Sequence, residues 1–438
     1  MKLPQSPGQP SIGGKPRVAI FFWEGYLGVV PSLINAVQLL SAAGYQVDIV
    51  TRFNPQDYVA PPAFDEAVRV FEYRGSSAPG KAKQPSPPSR SSKNQLTQFI
   101  QRAYGFVDRL FLGAIIEWTV RLSQRLRFAL FGLRNTRGCR YDCFIGIDTD
   151  GLVIATLVGA IRRVPIIYWS LELRFLKDFR TSFERAWKKL ERVCNRRSAF
   201  TIIQDEERAA ALVAENAIDR SRITIVPNGP MGPSSRVESS FFQHKFNLPK
   251  STRIVLHMGR LGPDMFSLEL AESSRNWPPE YALIFHERER RSPEDPYVRE
   301  VREAGAGRVL LSLDPVPYDR LDQVVRSAQI GIVLYRKDLG PNYSLIAGAS
   351  GKLAHYVRCG LPLICIDLPS LKAVIDKYRC GVCISDMSQV DSALQEIWEN
   401  YDFYSSNAEL CYRENYEFSS HFQQVLGQIE RMRAHRSS

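Results

Sequence analysis

The sequence predicts an α/β protein built from two doubly wound, Rossmann-like domains that face each other across a cleft. The chain has 438 residues, which exceeds one ordinary core and suits two domains of about 200 residues each. Short β-branched, apolar runs alternate with stretches of helical periodicity, as in parallel sheets. This alternation occurs in two successive series, and each series opens with a strand that ends in a glycine-bearing loop.

The first series begins with RVAIFFW at residue 17, followed by the loop EGYLGVVPS, the helical segment LINAVQLLSAAG and the strand YQVDIVT. This order is a βαβ unit of parallel sheet. Further strands are predicted at AVRVFEYR, YDCFIGID, RVPIIYWSLE and AFTIIQD. We therefore expect an N-terminal domain over residues 17–228. A flexible tail at 1–16, without the apolar core of a targeting peptide, precedes it, and a Pro/Ser/Lys-rich loop at 78–93 interrupts it.

The second series begins with TRIVLHMGRLG and continues through YALIFHE, RVLLSLDPV, IGIVLY, LPLICID and GVCISD. It predicts a C-terminal domain over residues 229–400. The last segment, 401–438, has helical spacing and aromatic anchors, and we expect it to pack back across both domains. Because ligands bind beyond the carboxyl ends of strands in open parallel sheets, two such edges facing each other would form one interdomain cleft.

An anion site is predicted where the segment SGKLAHYVRCG opens a helix. Ser350 and Gly351 would leave free amides and the positive end of the helix dipole at this point, and Lys352 would add a full charge. Gly259 and Arg260 follow the first strand of the same domain, so a guanidinium would overhang the same edge. Together these groups suit a diphosphate. The alternative is a plain Ser N-cap with a solvated lysine.

Taken in order, these segments resemble the glycosyltransferases of the two-domain GT-B fold, most nearly the large family that includes glycogen synthase and bacterial sugar transferases. The similar segments are EGYLG, TIIQDEERAAALVAENAI with RITIVPNG, VLHMGRL and ASGKLAHYVRCGLPLI, and they cover nearly the whole chain from Arg17. The resemblance implies that the N-terminal domain holds the acceptor. It implies that the C-terminal domain holds a nucleotide diphosphate sugar as co-substrate, with no other cofactor and no bound metal.

On the acceptor side, the resemblance places the loop residues Glu24, Gly25, Tyr26 and Gly28. Asp148 follows a strand in IDTDG, a segment that also matches the metal-binding aspartate motif of the other main glycosyltransferase fold. Since the phosphate-binding features lie in a later domain, we interpret these aspartates as a turn near the acceptor side and predict no metal site.

The sequence departs from the family pattern at two positions. The family usually carries two glutamates eight residues apart, and here the corresponding residues are Ala347 and His355. His355 either donates a hydrogen bond to a hydroxyl of the donor or packs in the helix interface. The family also usually has a lysine soon after the arginine of GRL, which is missing here, so Lys352 is expected to take over part of its role.

Glu172, at the end of the strand VPIIYWSLEL, is the predicted catalytic carboxylate. It would act as a general base toward an acceptor hydroxyl or stabilise a positively charged transition state. The alternative is an ion pair with a neighbouring arginine such as Arg174. The stereochemical outcome at the sugar does not follow from these residues.

Residues 94–140 predict a long amphipathic helix or helix pair with a basic face, since eight arginines stand against two acidic residues. We expect either attachment to an anionic membrane surface, where lipid-linked acceptors are found, or a core helix with a solvated face. No recognition module for nucleic acid is evident. The net charge of +11, eight cysteines at irregular spacings and no long apolar run favour a cytoplasmic protein, peripheral on the inner face of the plasma membrane.

The function expected from these features is transfer of a hexose from a nucleotide diphosphate sugar to a glycan or polyprenyl-linked acceptor, in cell-surface polysaccharide or glycolipid synthesis. Two alternatives remain open. One is a nucleotide-sugar epimerase on the same fold, and the other is a non-catalytic protein that binds a nucleotide sugar in the same cleft.

Overall fold

The computed structural model describes residues 15–53, 59–75 and 95–437. These residues form two parallel sheets, each covered by helices on its faces. Most of the expected tail at 1–16 and the expected loop at 78–93 lie outside the described residues. The predicted pair of Rossmann-like domains is confirmed.

The N-terminal sheet has seven parallel strands in the order β3-β2-β1-β4-β5-β6-β7. Its strands are β1 (Arg17–Phe22), β2 (Gln46–Arg52), β3 (Val68–Tyr73), β4 (Cys143–Ile147), β5 (Ile166–Trp169), β6 (Phe200–Ile203) and β7 (Ile223–Ile225). Strand β1 lies at the centre, where Val18 pairs with Val47 of β2 on one side and with Cys143 of β4 on the other. The winding direction therefore reverses between β1 and β4, and a crevice opens at their carboxyl ends.

The C-terminal sheet has six parallel strands in the order β10-β9-β8-β11-β12-β13. Its strands are β8 (Arg253–Gly259), β9 (Tyr281–Glu287), β10 (Val309–Ser312), β11 (Ile330–Val333), β12 (Leu363–Ile366) and β13 (Gly381–Ile384). The reversal here falls between β8 and β11. Twelve of these thirteen strands coincide with runs predicted from the sequence; β7 was missed because it is only three residues long.

Helices connect the strands and close the chain. In the N-terminal domain they are α1 (Pro31–Ala42), α2 (Gln95–Asn135), α3 (Asp148–Arg162), α4 (Ser182–Arg197) and α5 (Glu206–Asn216). In the C-terminal domain and beyond it they are α6 (Phe241–Phe246), α7 (Ser267–Ser273), α8 (Pro296–Ala304), α9 (Leu321–Val325), α10 (Pro341–Ser344), α11 (Gly351–Arg358), α12 (Pro369–Tyr378), α13 (Val390–Glu399), α14 (Tyr401–Cys411) and α15 (Phe418–Ser437). No described helix is both long enough and apolar enough to cross a bilayer.

The N-terminal sheet is buried on both faces because successive side chains of a strand point to opposite sides. Val18 and Ile20 of β1 pack in the layer that contains α1 and α15. Ala19 and Phe21 pack in the opposite layer, which contains α2, α3, α4 and α5. Helices α2, α3 and α4 therefore cover the same side of the sheet.

The last helix belongs structurally to the N-terminal domain, although the chain reaches it from the C-terminal domain. Phe418 and Phe422 of α15 lie in the same core as Trp169 of β5, with ring centroids 6.5 and 6.2 Å from the indole. Helix α14, by contrast, packs on α11 and α12 of the C-terminal domain. The terminal segment thus contacts both domains.

Replacing Phe422 by alanine is expected to lower the free energy of unfolding by about 3–5 kcal/mol, because it empties a fully buried site in this core. Urea unfolding measures the change. The matched control is Phe403→Ala on α14, whose side chain is 49% exposed and whose loss should stay within about 0.5 kcal/mol. Equal losses for the two variants would contradict the docking of α15.

Candidate active site

A cleft of about 600 Å³ separates the carboxyl edges of the two sheets. Most of the residues selected from the sequence line it. The N-terminal domain contributes Tyr26, Gly28, Asp148 and Glu172, and the C-terminal domain contributes Gly259, Arg260, Gly351, Lys352 and His355. The side chains of the two domains thus face one common space, as the position of ligand sites in open parallel sheets requires.

The N-terminus of α11 opens into this cleft. Ser350 is 1% exposed and caps the helix: its hydroxyl accepts a hydrogen bond from the Leu353 amide at 3.4 Å and lies 3.1 Å from the Tyr335 hydroxyl. The Ser350 side chain therefore lies behind the cleft wall. A side chain added at Gly351 would meet nothing within 4 Å, so the space above the first turn of the helix is open.

Lys352 carries its ammonium into the same space. Its Nζ lies 3.7 Å from the Met265 sulfur and 4.6 Å from the centre of the Tyr335 ring. Burial, reinforced by the nearby charge of Arg288, lowers the pKa of Lys352 to about 7. An anion placed beside this amine would offset both effects, because it favours the charged form.

Two arginines stand on the loops beside Lys352. Arg260 pairs with Asp264, and Arg288 lies with its Nε 3.3 Å from Glu289. Both guanidinium groups are about half exposed, and exposed ion pairs contribute little stability, so each guanidinium is available to a stronger anion. Arg288 was missed in the sequence. The signal was present, because Arg288 directly follows strand β9 in FHERER, at the same sheet edge as HMGR.

The backbone amide of Arg288 anchors that residue to the predicted site. It donates to the carbonyl oxygen of Gly259 at 3.2 Å, so the ends of β8 and β9 are held side by side. Gly259 has a φ of 119°, a conformation that favours glycine. Arg260 and Arg288 consequently leave adjacent strands on the same side of the cleft.

Carboxylates occupy the opposite wall. Asp148 follows β4 with a φ of 51°, an uncommon value for a residue with a side chain. Its Oδ1 accepts hydrogen bonds from the amides of Leu171 and Glu172, each at 2.8 Å. Burial and the charge of Glu172 raise the pKa of Asp148 to about 7. Asp148 therefore fixes the Glu172 loop through two backbone amides, and burial with a like charge nearby favours its protonated form.

Glu24 lies behind Asp148, outside the lining of the cleft. Burial, followed by the charges of Asp148 and Asp150, raises the pKa of Glu24 to about 8. Its buried Oε2 has no hydrogen-bond partner within the described chain. Burial and the like charge of neighbouring carboxyls thus favour the protonated form of both Glu24 and Asp148.

Two glycines shape the loop that follows Glu24. Gly25 turns the chain with a φ of 84°. At Gly28 an added Cβ would lie 1.7 Å from the carbonyl oxygen of Val59, so only glycine allows this close approach. Tyr26 and Gly28 reach the cleft through this turn, whereas Gly25 does not line it.

Glu172 is held by a residue of the other domain. The side-chain amide of Asn342 on α10 donates to Glu172 Oε2 at 2.7 Å, and its Oδ1 accepts from the Leu173 amide at 2.9 Å. Arg208, fully buried on α5, donates to Leu171 O and to Asn342 Oδ1, both at 3.0 Å. The carboxylate selected from the sequence therefore sits at a polar contact between domains, and neither Asn342 nor Arg208 was anticipated.

The two positions that depart from the family pattern have different surroundings. Ala347 is 6% exposed, and its carbonyl oxygen accepts from the Tyr416 hydroxyl at 3.2 Å. His355 is 3% exposed and lines the cleft, with Nδ1 3.6 Å from Asp322 Oδ1. Neither ring nitrogen of His355 has a hydrogen-bond partner among the described residues.

The aspartate motif serves two separate contacts. Asp148 accepts from the backbone, as described above, while Asp150 accepts from Arg125 Nε at 2.5 Å and from its Nη2 at 3.2 Å. Within the described ranges, no group of three or more metal-ligating side chains is found.

Neither a protein-family model nor a curated protein matches the sequence. The structure is nevertheless similar to HepE of Anabaena in complex with UDP (13% identity, TM-score 0.61, covering 94% of this chain and 99% of that one). It is also similar to sucrose-phosphate synthase from Thermosynechococcus elongatus, with 14% identity and a TM-score of 0.61, over 97% of this chain and 100% of that one. This chain has the GT-B fold. WaaG, a GT-B glycosyltransferase involved in lipopolysaccharide biosynthesis, aligns at 12% identity and a TM-score of 0.56, over 93% of this chain and 98% of its own.

Replacing Asn342 by alanine is expected to speed amide hydrogen exchange at Leu173 and to lower the free energy of unfolding by about 1–3 kcal/mol, because it leaves that amide and Glu172 without their partner. Exchange followed by mass spectrometry measures the first effect. The control is Gln395→Ala, an exposed amide bound to Glu399. Unchanged amide hydrogen exchange in the 171–174 loop would show that Asn342 does not fix this loop.

Proposed function

We propose that this protein is a glycosyltransferase that moves a hexose from a nucleotide diphosphate sugar to an acceptor hydroxyl within the interdomain cleft. The observation that carries the proposal is the distribution of charge in the cleft. The C-terminal wall has Lys352, two arginines and a helix N-terminus against one carboxylate, Glu287. The N-terminal wall has the carboxylates of Asp148 and Glu172 beside Arg208. A GT-B protein bound to UDP and to UDP-glucose, HepE, has the same fold.

On the donor side, the diphosphate would lie against the first turn of α11. The free amides of that turn and the ammonium of Lys352 would bind its oxygens, and Arg260 and Arg288 would reach it from the ends of β8 and β9. These cations would stabilise the negative charge that builds up on the leaving diphosphate, which is the role a metal has in other transferases. The enzyme would therefore work without a metal ion.

On the acceptor side, Glu172 would take the proton of the acceptor hydroxyl. The bond from the anomeric carbon to the diphosphate oxygen breaks, and its electron pair stays on the nucleotide. A bond from the same carbon to the acceptor oxygen forms as the proton passes to Glu172. Asp148 would orient Glu172 through the two backbone amides that it accepts from. Tyr26 and Gly28 would contact the acceptor.

We further propose that the acceptor is a glycan or a lipid-linked saccharide, and that the enzyme acts in cell-surface polysaccharide or glycolipid synthesis on the cytoplasmic side of the membrane. The similarity to WaaG, a transferase of lipopolysaccharide biosynthesis, favours this pathway class. One alternative function has an observation in its favour. Ala347 and His355 replace the usual pair of glutamates, as expected of a non-catalytic protein that binds a nucleotide sugar.

Release of free nucleotide from a panel of nucleotide sugars separates these two functions. An enzyme transfers the sugar to an acceptor, or slowly to water, and releases free nucleotide. A binding protein shows a thermal shift with the same compounds and releases no nucleotide. Glu172→Gln is expected to lower the release rate by about 10²–10⁴-fold with donor affinity nearly unchanged, because only the proton acceptor is lost. Asp178→Asn, an exposed carboxylate nearby, is the control. Full activity in Glu172→Gln would remove this residue from the chemistry.

Donor binding is expected to depend on pH through Lys352. Its pKa of about 7 in the free protein leaves the amine mostly neutral at pH 8–9, and a bound diphosphate raises that pKa. Binding therefore takes up a proton, and affinity falls by up to about tenfold per pH unit above pH 7. Calorimetry in buffers of different ionisation enthalpy measures the uptake, with the nucleoside diphosphate that gives the largest thermal shift among UDP, ADP, GDP and dTDP.

The matched variant for this test is Lys352→Arg, which keeps the charge and does not titrate in this range. It should bind the nucleotide without proton uptake. Lys352→Ala and Arg260→Ala should both weaken binding. If neither of these alanine variants changes the affinity, the diphosphate does not lie at the N-terminus of α11.

A further inference from the structure

One face of the N-terminal domain, the outer surface of α2, α3 and α4, exposes many large apolar side chains. Seventeen such side chains are exposed in the described chain, and eleven belong to these three helices. They are Ile115, Ile116, Trp118, Val120, Leu122, Leu126 and Leu130 on α2, Leu157 and Ile161 on α3, and Leu190 and Val193 on α4. Single exposed apolar residues are ordinary, but a concentration of this kind marks an interaction surface.

These side chains form one surface because the three helices lie side by side. Helix α3 packs against α2 on one flank and α4 on the other, and all three cover the same side of the sheet. In the middle of the layer, Leu157 is 44% and Ile161 59% exposed. Leu130 of α2 is 65% exposed and Val193 of α4 is 41% exposed. We call this surface the α2–α4 face.

Charge on the α2–α4 face has a single sign. We consider the ionic side chains of residues 115–163 and 182–197, which cover the three helices and the turns that end α2 and α3. All the exposed ones are basic: Arg127, Arg134, Arg137, Arg140, Arg163, Arg185, Lys189, Arg196 and Arg197. A solvated helix layer usually mixes both signs. Here the exposed surface combines positive charge with apolar side chains.

The acidic side chains of these helices are less exposed than the basic ones. Among the described side chains of α2, α3 and α4, each acid is buried or half-buried: Glu117, Asp148, Asp150, Glu184 and Glu191. Glu117 and Glu184 both pair with Arg121, at 3.0 and 3.2 Å. Glu191 pairs with the buried Lys188 at 2.5 Å. Internal pairing therefore offsets part of this negative charge, and among the described residues none of the nine exposed basic side chains is ion-paired with these acids.

We propose that the α2–α4 face docks on an anionic lipid surface. Apolar side chains between basic ones suit the boundary between lipid headgroups and acyl chains. There the apolar side chains are buried and the basic side chains contact headgroup phosphates. A second copy of this chain would bring like charges together. Nucleic acid would match the charge and leave the apolar side chains uncovered. An anionic bilayer matches both the basic and the apolar side chains of the face.

The face extends the attachment expected from residues 94–140, because α3 and α4 contribute four of its eleven exposed apolar side chains. It also lies near the cleft. Helix α3 begins at Asp148 in the cleft wall, and Leu157 follows nine residues later, about 14 Å along the helix axis. A saccharide anchored in the bilayer would therefore approach the acceptor side of the cleft. Docking itself does not depend on the proposed transfer reaction.

Co-flotation of the full-length protein with vesicles tests the proposal. We expect binding to vesicles of phosphatidylcholine with added phosphatidylglycerol, no binding to phosphatidylcholine alone, and release as salt is raised. The double variant Lys189→Glu, Arg197→Glu is expected to lower partitioning about tenfold or more. The apolar pair Leu157→Asn, Ile161→Asn should lower it at constant charge.

Matched controls come from exposed residues of the other domain, Val237→Asn and Lys250→Glu, which should partition like the parent protein. Circular dichroism and thermal unfolding verify that each variant is folded. Equal binding to neutral vesicles, or equal partitioning of face and control variants, would overturn the proposal. So would a dimer, or a nucleic-acid complex, that the Leu157→Asn, Ile161→Asn variant alone abolishes.

Discussion

Backbone hydrogen bonds of one glycine join the two domains next to the helix that opens into the cleft. The amide of Gly348 donates to Asp205 Oδ2 at 3.0 Å, and its carbonyl accepts from the Asn228 amide at 2.8 Å. A Cβ at this position would lie 2.4 Å from the Asp205 carboxylate, so a side chain would require Asp205 or the Gly348 backbone to shift. Since α11 begins three residues later, this contact sets where the positive end of that helix points relative to the N-terminal domain.

Burial shifts the pKa values of charged groups in and beside the cleft. Lys352 contacts a thioether and an aromatic ring, and burial lowers its pKa. Asp148 and Glu24 crowd together, and burial raises the pKa of each. Buried groups in this condition destabilise a fold unless a ligand compensates them. The arrangement is compatible with the proposed binding of a diphosphate beside Lys352.

The sequence located the loops of the cleft because each one follows a buried apolar strand, and parallel strands deliver their carboxyl ends to one edge. Lys352, Arg260, Asp148 and Glu172 could be selected in this way, and all four line the cleft. Ser350 could be selected as well, but its hydroxyl turns inward to cap α11. The roles of these residues in binding and catalysis stay predictions.

Strand periodicity, glycine loops and helix spacing by themselves determined the pair of doubly wound sheets, because these local patterns act over a few residues. Only the tertiary structure decided which distant groups meet: Asn342 with Glu172, Arg288 with Lys352, and α3 and α4 with the exposed side of α2. Such contacts depend on how two separately patterned domains and their helix layers pack, and residues on different elements carry no sign of each other in the local sequence.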